Sequence, residues 1–383
     1  MADNSIFIVG AGREGKGFLG ETFTAGGWQV YFLDKDIRVI DELNKGSYDV
    51  TLYQTDGTFH HRVTGYNSYL ADEAYACLPA LMDADLMALA LYPEDIPEAG
   101  TYLAKGLTER AKKNPDKKLT ILSCTNKNHI IDWVEENFTK HLDAETKQWF
   151  QNNVVVRDVI VRRSTDAQTN YSPTIVTGAI ATLLIQSPVY ADLSGLRWME
   201  LYDGVERLKD IKLCTYNAPH ATIAYAGYIK GYQTINQAAA DPEIAELASE
   251  VLKEAVACLS LENDMPEAEI WKFCTLPKTA EPMFDSISRV AVDPIRKLGR
   301  YDRLTGNAML CLKYGIDPKA LIVSIANGMA YDEPTDKNAQ LMQGYIRDLG
   351  ITQAVAKVCG LPEDHEIVLR VSEQYDKMER KDV

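Results

Sequence analysis

Nine residues, Lys212-Leu-Cys-Thr-Tyr-Asn217-Ala-Pro-His220, bring together a base, an amide and an imidazole. If Asn217 caps a helix whose first turn holds Pro219, then Asn217 and His220, three apart, point the same way, and Lys212 just upstream can converge on the same point. Such a trio suits the oxidation of a carbinol. The lysine accepts the hydroxyl proton, and the amide and imidazole donate to the developing alkoxide as hydride departs. Spacing alone fits a solvated lysine, an ordinary N-cap and a satisfied buried histidine at least as well.

A hydride needs an acceptor, and the N-terminal region offers a place for one. Gly10-Ala11-Gly12-Arg13-Glu14-Gly15 is a GxGxxG that directly follows a predicted strand, Ser5–Val9, and opens a predicted helix, Gly15–Ala25. The first glycine permits the tight turn, the second lets a pyrophosphate approach the backbone, and the third allows close helix–strand packing. Phosphate oxygens then meet the positive end of the helix. Asp34 follows the next predicted strand, Gln29–Leu33, and stands 22 residues after Gly12, close to the ~20-residue offset at which an acid accepts hydrogen bonds from the adenosine ribose. An acid there repels a 2′-phosphate, so NAD is expected over NADP, although Lys35 and Arg13 lie near enough in sequence to tolerate one.

The elements that must position these groups read as two kinds of structure. The first half alternates short apolar runs with helical stretches, the mark of a parallel sheet covered by helices. After the strands already named comes a hairpin, Val50–Gln54 and Thr58–Val63, around the turn Thr55-Asp56-Gly57. Leu86–Leu91 and Leu119–Ser123 follow as buried strands, with a helix over Pro97–Lys113 stopped by Asn114-Pro115-Asp116, and Val154–Val161 is expected to be the last strand of this unit. Beyond about Leu193, stretches such as Ile244–Ser260, Ala320–Met329 and Asn338–Val358 carry apolar residues at helical spacing. The expected fold is an α/β N-terminal Rossmann domain with a mostly parallel sheet, residues 1–192, binding the dinucleotide. An all-α C-terminal domain, residues 193–383, then holds substrate and catalytic groups.

Composition narrows the partners. A length of 383 residues suggests two domains at roughly 100–200 residues each. The formal charge of −15 repels nucleic acid and anionic membranes over most of the surface, so an anionic substrate must be held by a local basic cluster. Arg296, Lys297, Arg300 and Arg303 form such a cluster in sequence, and the same charges fit equally a role in pinning helices to neighbouring acids. The opening MADNSIFIVG has no basic segment followed by a long apolar core, and a cytoplasmic protein is expected. Seven widely spread cysteines without a CxxC, and six histidines without an HxxxH, give no support for a disulfide framework or a metal. A monomer and a homodimer are equally compatible with the sequence.

The nonamer around Lys212 resembles the signature of the polyol-specific long-chain dehydrogenases, the mannitol dehydrogenase family, and the resemblance runs nearly end to end. Gly10-Ala-Gly-Arg-Glu-Gly-Lys-Gly-Phe-Leu-Gly20 is similar to the family's extended glycine loop, and Ser123-Cys124-Thr125-Asn126 to its S-C-[DE]-N segment. Arg289-Val-Ala-Val-Asp-Pro294-Ile-Arg296-Lys297-Leu298 with Asp302-Arg303-Leu304 resembles a block of the family's sugar-phosphate branch. The resemblance implies a Rossmann domain and a helical domain, NAD as cofactor and no metal. It implies Lys212 as acid/base, Asn217 and His220 as oxyanion partners, and Asn126 beside nicotinamide and substrate. The implied reaction interconverts a polyol phosphate and a ketose phosphate, as in D-mannitol 1-phosphate and D-fructose 6-phosphate.

Departures from the family pattern fall near the substrate. Arg13 and Glu14 replace an asparagine and a hydrophobe, Thr125 replaces an acid, and Arg162-Arg163-Ser164 lacks the aspartate of V-D-R-I. Lys278 stands where an arginine is usual, before Glu281-Pro282 in place of N-P, and is taken as a further substrate-binding residue. An unphosphorylated polyol or a hexuronate is therefore the alternative substrate.

Overall fold

A computed structural model describes residues 4–162, 165–178, 183–274 and 285–379. Among these, the chain forms two compact units, one ending at Lys209 and the other beginning at Asp210.

The first unit holds twelve strands among the described residues: β1 (Ser5–Val9), β2 (Gln29–Asp34), β3 (Ser47–Tyr53), β4 (Thr58–Thr64), β5 (Asn67–Leu70), β6 (Leu86–Leu89), β7 (Leu119–Ser123), β8 (Val154–Val161), β9 (Thr165–Asp166), β10 (Thr174–Gly178), β11 (Leu183–Gln186) and β12 (Met199–Tyr202). Eight of them make one sheet in the order β12-β11-β8-β7-β6-β1-β2-β5. From β5 through β8 every neighbour is parallel. Strand order reverses at β1, whose neighbours are β2 on one side and β6 on the other, so the crevice beyond its C-terminal end is where ligands of such sheets bind.

The sequence explains why β1, β6 and β7 are central. Each is an unbroken apolar run or nearly so, and every residue of the three is buried, as a strand covered on both faces requires. Successive side chains go to opposite faces: Ile6 and Ile8 join a core with Phe18, Phe23 and Phe32, while Phe7 and Val9 join a second core with Leu103, Leu107 and Phe138. Phe7 is fully buried, and Phe7→Ala should cost about 3–5 kcal/mol through the cavity it leaves.

Two expectations about this unit are corrected. Val154–Val161 is not the last strand, because β11 returns antiparallel against it and β12 pairs parallel with β11. The predicted hairpin forms, with Tyr53 opposite Thr58, but outside the main sheet, in a four-stranded sheet of order β4-β3-β10-β9. Polar β4 buries only Val63, so it has no apolar face with which to continue the main sheet.

The second unit is helical. Its centre is the helix Ala218–Ile229, whose buried Ala221, Ala224 and Gly227 admit close neighbours, and it packs against Pro242–Asn263, Lys319–Met329 and Ile287–Ala291. The long helix Pro242–Asn263 starts where the Asp241 carboxylate accepts the amides of Glu243 and Ile244 and proline occupies the first turn, and it ends at Asp264 in a left-handed conformation. The region after Leu193 is not purely helical, since the short exposed edge strand β12 lies there. The stretch expected over Asn338–Val358 is two helices, Lys337–Leu349 and Ile351–Cys359, broken at Gly350, where φ is +79°. No described helix is long and apolar enough to cross a membrane.

Candidate active site

In the first unit the glycines divide their work as the motif requires. Gly10 has φ of +93°, and a Cβ there would strike the Ala90 carbonyl at the head of the β1–β6 crevice. A Cβ on Gly15 would strike the carbonyl of Gly10. Over Gly12, by contrast, a Cβ would meet nothing nearer than Asn170 at 3.9 Å, which leaves the backbone open to a phosphate. The chain turns helical at Arg13 and Glu14, so this opening sits at the helix N-terminus. These are the features a dinucleotide pyrophosphate needs.

Asp34, at the end of β2, reaches back into the same loop. One carboxylate oxygen accepts the Ala11 amide at 2.8 Å and the other accepts the Asp36 amide at 2.9 Å. Burial raises its pKa, and these amide bonds oppose the rise. The two nearby cations that would welcome a 2′-phosphate are both turned to other acids. Lys35 pairs with Asp95 at 2.9 Å and Glu98 at 2.6 Å, and Arg13 stands 3.4 Å from Asp166. NAD is the cofactor this arrangement suits. Asn126 lies exposed just past the C-terminal end of β7, on a loop where the Thr125 hydroxyl donates to the Leu91 carbonyl at 3.1 Å.

In the second unit the expected N-cap at Asn217 is corrected. Helix continues from Val205–Lys212 through a wider π-helical turn, Leu213–Asn217, into Ala218–Ile229. Asn217 has φ −77° and ψ −27° and makes no capping hydrogen bond. Pro219 is the physical cause, since it has no N–H for the carbonyl four residues earlier and its ring crowds that carbonyl, so the coil widens. On a regular α-helix, residues five apart lie about 140° apart around the axis, whereas a turn closed by i→i+5 bonds stacks them on one side. The wide turn therefore draws Asn217 toward the side of the helix that carries Lys212. Lys212 is itself half-buried.

His220 sits in the first turn of the following helix, edge-on to Tyr216 at 6.0 Å between ring centres. Its Nε2 lies 3.9 Å from Oδ2 of Asp285, and the Arg289 guanidinium donates to both oxygens of that carboxylate. Burial lowers the His220 pKa to about 4; Asp285 opposes this, while Arg289, Arg303 and Lys297 add to it. The imidazole is therefore neutral at neutral pH and has one N–H to donate. Asp285 and Arg289 were missed from sequence as site residues. Their signal was the i,i+4 spacing of an acid and an arginine, which is too common to single out alone.

Of the four cations of the candidate cluster, Arg296, Lys297 and Arg303 stay neighbours and Arg300 leaves. Lys297 is buried and donates to the Val290 carbonyl at 2.6 Å, and its pKa is pushed down to about 7, first by burial and then by Arg303 and Arg296. Arg303 bonds Asp302 at 2.8 Å, and Arg296 bridges Asp293 at 3.0 Å and Asp302 at 3.4 Å. Arg300 turns away, toward the Gly360 carbonyl at 3.4 Å and over the Tyr301 ring. Lys278 lies outside the described residues.

Residues 4–178 match the family described as mannitol dehydrogenase Rossmann domain, and residues 204–382 match mannitol dehydrogenase C-terminal domain. The chain is 30% identical to a mannitol-1-phosphate 5-dehydrogenase of Geobacillus thermodenitrificans, over 97% of this chain and 98% of the relative. It is 29% identical to one of Brevibacillus brevis, over 95% and 96%. Among solved structures, the mannitol 2-dehydrogenase of Pseudomonas fluorescens, in a ternary complex with NAD and D-mannitol, superposes with a TM-score of 0.75 at 16% identity, covering 99% of this chain and 92% of that one. A D-sorbitol dehydrogenase superposes with a TM-score of 0.74 at 15% identity, covering 98% and 93%. With both of its domains matched in order and a relative at 30% identity over almost its whole length, the chain belongs to the mannitol dehydrogenase family.

Proposed function

We propose that this NAD-dependent polyol dehydrogenase interconverts D-mannitol 1-phosphate and D-fructose 6-phosphate, with Lys212 as general acid/base and Asn217 and His220 holding the reacting oxygen. Residues 1–192 would carry the dinucleotide and residues 193–383 the substrate. Bound NAD supplies the chemistry of hydride acceptance, with the glycine loop and Asp34 holding it and Asn126 beside it. Lys212 takes the proton from the carbinol hydroxyl in oxidation and returns it to the oxygen in reduction. Asn217 donates its carboxamide N–H to that oxygen as negative charge develops. His220, neutral because it is buried, donates its single N–H without taking the proton that belongs to Lys212.

The observation that carries the phosphate is the environment of His220. Lys297, Arg303 and Arg289 all act on it electrostatically, in a chain whose formal charge is −15. Arg289 is paired with Asp285 and Arg303 with Asp302, which leaves buried Lys297 without a carboxylate in the ion pairs among the described residues. A dianionic phosphate is a partner that such a lysine suits, and a charged, membrane-impermeant substrate fits a cytoplasmic location. Compensation of Arg296 and Arg303 by Asp302 is what favours the second reading, an unphosphorylated polyol or a hexuronate. Initial rates of NADH consumption with fructose 6-phosphate, fructose and a hexuronate decide between them. A kcat/KM for the phosphate at least about tenfold above the others supports the proposal, as one charge-assisted contact is worth about 1.5–3 kcal/mol. Equal values would refute the phosphate.

A further inference from the structure

Lys209 is buried in the first unit, with only 4% of its side chain exposed, and all three of its N–H donors are used. It donates to Asp158 Oδ1 at 2.6 Å, to the Thr125 carbonyl at 3.1 Å and to the Lys127 carbonyl at 2.8 Å. Those two carbonyls flank Asn126. Asp158, on β8, is 5% exposed, and its register partner on β7 is Ser123, three residues before Asn126. A second tie comes from one turn earlier on the same helix, where Glu206 meets His129 Nδ1 at 2.7 Å.

A buried ion pair is poor evidence for stability, because desolvating both charges roughly offsets their attraction, and apolar replacements of like shape are often as stable or more so. Here the pair is also incompletely served, since Asp158 Oδ2 and Ser123 Oγ, both buried, have no hydrogen-bond partner among the described residues. What the pair does supply is geometry. One ammonium fixes two peptide carbonyls, one on each side of Asn126, relative to two strands, at the C-terminal edge of the sheet where ligands of such folds bind.

We infer that Lys209, anchored on Asp158, is a positioning residue that fixes the Thr125–Lys127 backbone and thereby the place of the exposed Asn126 carboxamide. It rests on the active-site role proposed for Asn126. Lys209 and Asp158 make no contact with reactants; they act through the loop.

The test is a double-mutant cycle between the paired substitution Lys209→Met/Asp158→Asn, which removes both charges at similar volume, and Asn126→Ala. Melting temperature and NADH affinity are followed alongside kcat for ketose reduction. The paired variant should stay folded and bind NADH within about threefold of wild type while kcat falls about ten- to a hundred-fold, the scale of loss from an ångström-sized misplacement. Adding Asn126→Ala to it should cost far less than Asn126→Ala costs alone. An unchanged kcat in the paired variant, or losses that multiply in full, would overturn the inference and leave the role of Asn126 standing. If Asn126→Ala alone does not change turnover, both the role and the inference fall. Should the paired variant not fold, Asp158→Asn loosens the anchor alone. A kcat lowered about two- to tenfold with NADH affinity unchanged then supports the inference, and an unchanged kcat overturns it.

Discussion

The imidazole Nε2 of His220 lies 3.9 Å from the Asp285 carboxylate, yet this acid does not hold the ring charged. Burial outweighs it, and three cations side with burial, so the His220 pKa falls to about 4. A histidine with a folded-state pKa below its unfolded value of about 6.5 stabilises the fold fully above that value and loses the contribution as pH falls to the folded pKa. Wild type should therefore lose on the order of 2–3 kcal/mol more than His220→Asn between pH 6.5 and 4. Denaturant unfolding of both proteins across that window measures the difference, and parallel curves would contradict a neutral His220.

Asp34, the acid proposed to hold the adenosine ribose, also ties down the glycine loop through Ala11. Asp34→Asn keeps an acceptor for that amide but removes the charge. NADPH should then bind about ten-fold or more tightly than it binds wild type, because the lost term is repulsion of a 2′-phosphate. Stability should fall by about 1 kcal/mol, because the asparagine NH2 cannot accept the second amide, that of Asp36. Titration of both proteins with NADH and NADPH gives the ratio. Asp34→Ala should cost about 1–3 kcal/mol of stability, because both amide hydrogen bonds are lost.

Much of this site was legible from residue types and spacing, and the gaps have physical causes. The glycine loop and β1, β2, β6 and β7 were visible because fully buried parallel strands are written as unbroken apolar runs and their turns need glycine. Strands β11 and β12 were not, because a four-residue edge strand such as Met199–Tyr202 has too little period to detect. The wide turn at Leu213–Asn217 was read as a cap because Asn before Ala-Pro is what a helix start looks like locally. Only the helix that continues on both sides turns it into a π segment. The pairing of Lys209 with Asp158, 51 residues apart, joins a helix to a strand and leaves no local trace.

Within the basic cluster the structure separates residues that the sequence could only group. Lys297→Met and Arg303→Ala should each lower kcat/KM for fructose 6-phosphate by about ten- to a hundred-fold while leaving fructose little changed. Arg300→Ala should have a much smaller effect, since Arg300 is turned to Gly360. A loss with Arg300→Ala as large as with Arg303→Ala would contradict the assignment.

Phosphate binding should also take up a proton. Lys297, at about 7 in the free protein, is largely neutral at pH 8, and an arriving dianion favours its charged form. The KM for fructose 6-phosphate should rise as pH increases from 7 to 9. Calorimetric binding at pH 8 in buffers of different ionisation enthalpy should show uptake of a fraction of a proton in wild type and none in Lys297→Met. Equal uptake by both proteins would place the proton elsewhere.

The most direct test is the kcat of Lys212→Ala in both directions, measured across pH beside its NADH affinity. NADH binding should stay nearly intact and kcat should fall by about 10²–10⁴, the share of a general acid–base catalyst. In wild type, polyol oxidation should rise with pH because it needs the free amine, and ketose reduction should fall because it needs the ammonium; Lys212→Ala should lose both slopes. Near-normal turnover with the wild-type pH dependence would contradict the assignment of Lys212, and with it the catalytic trio.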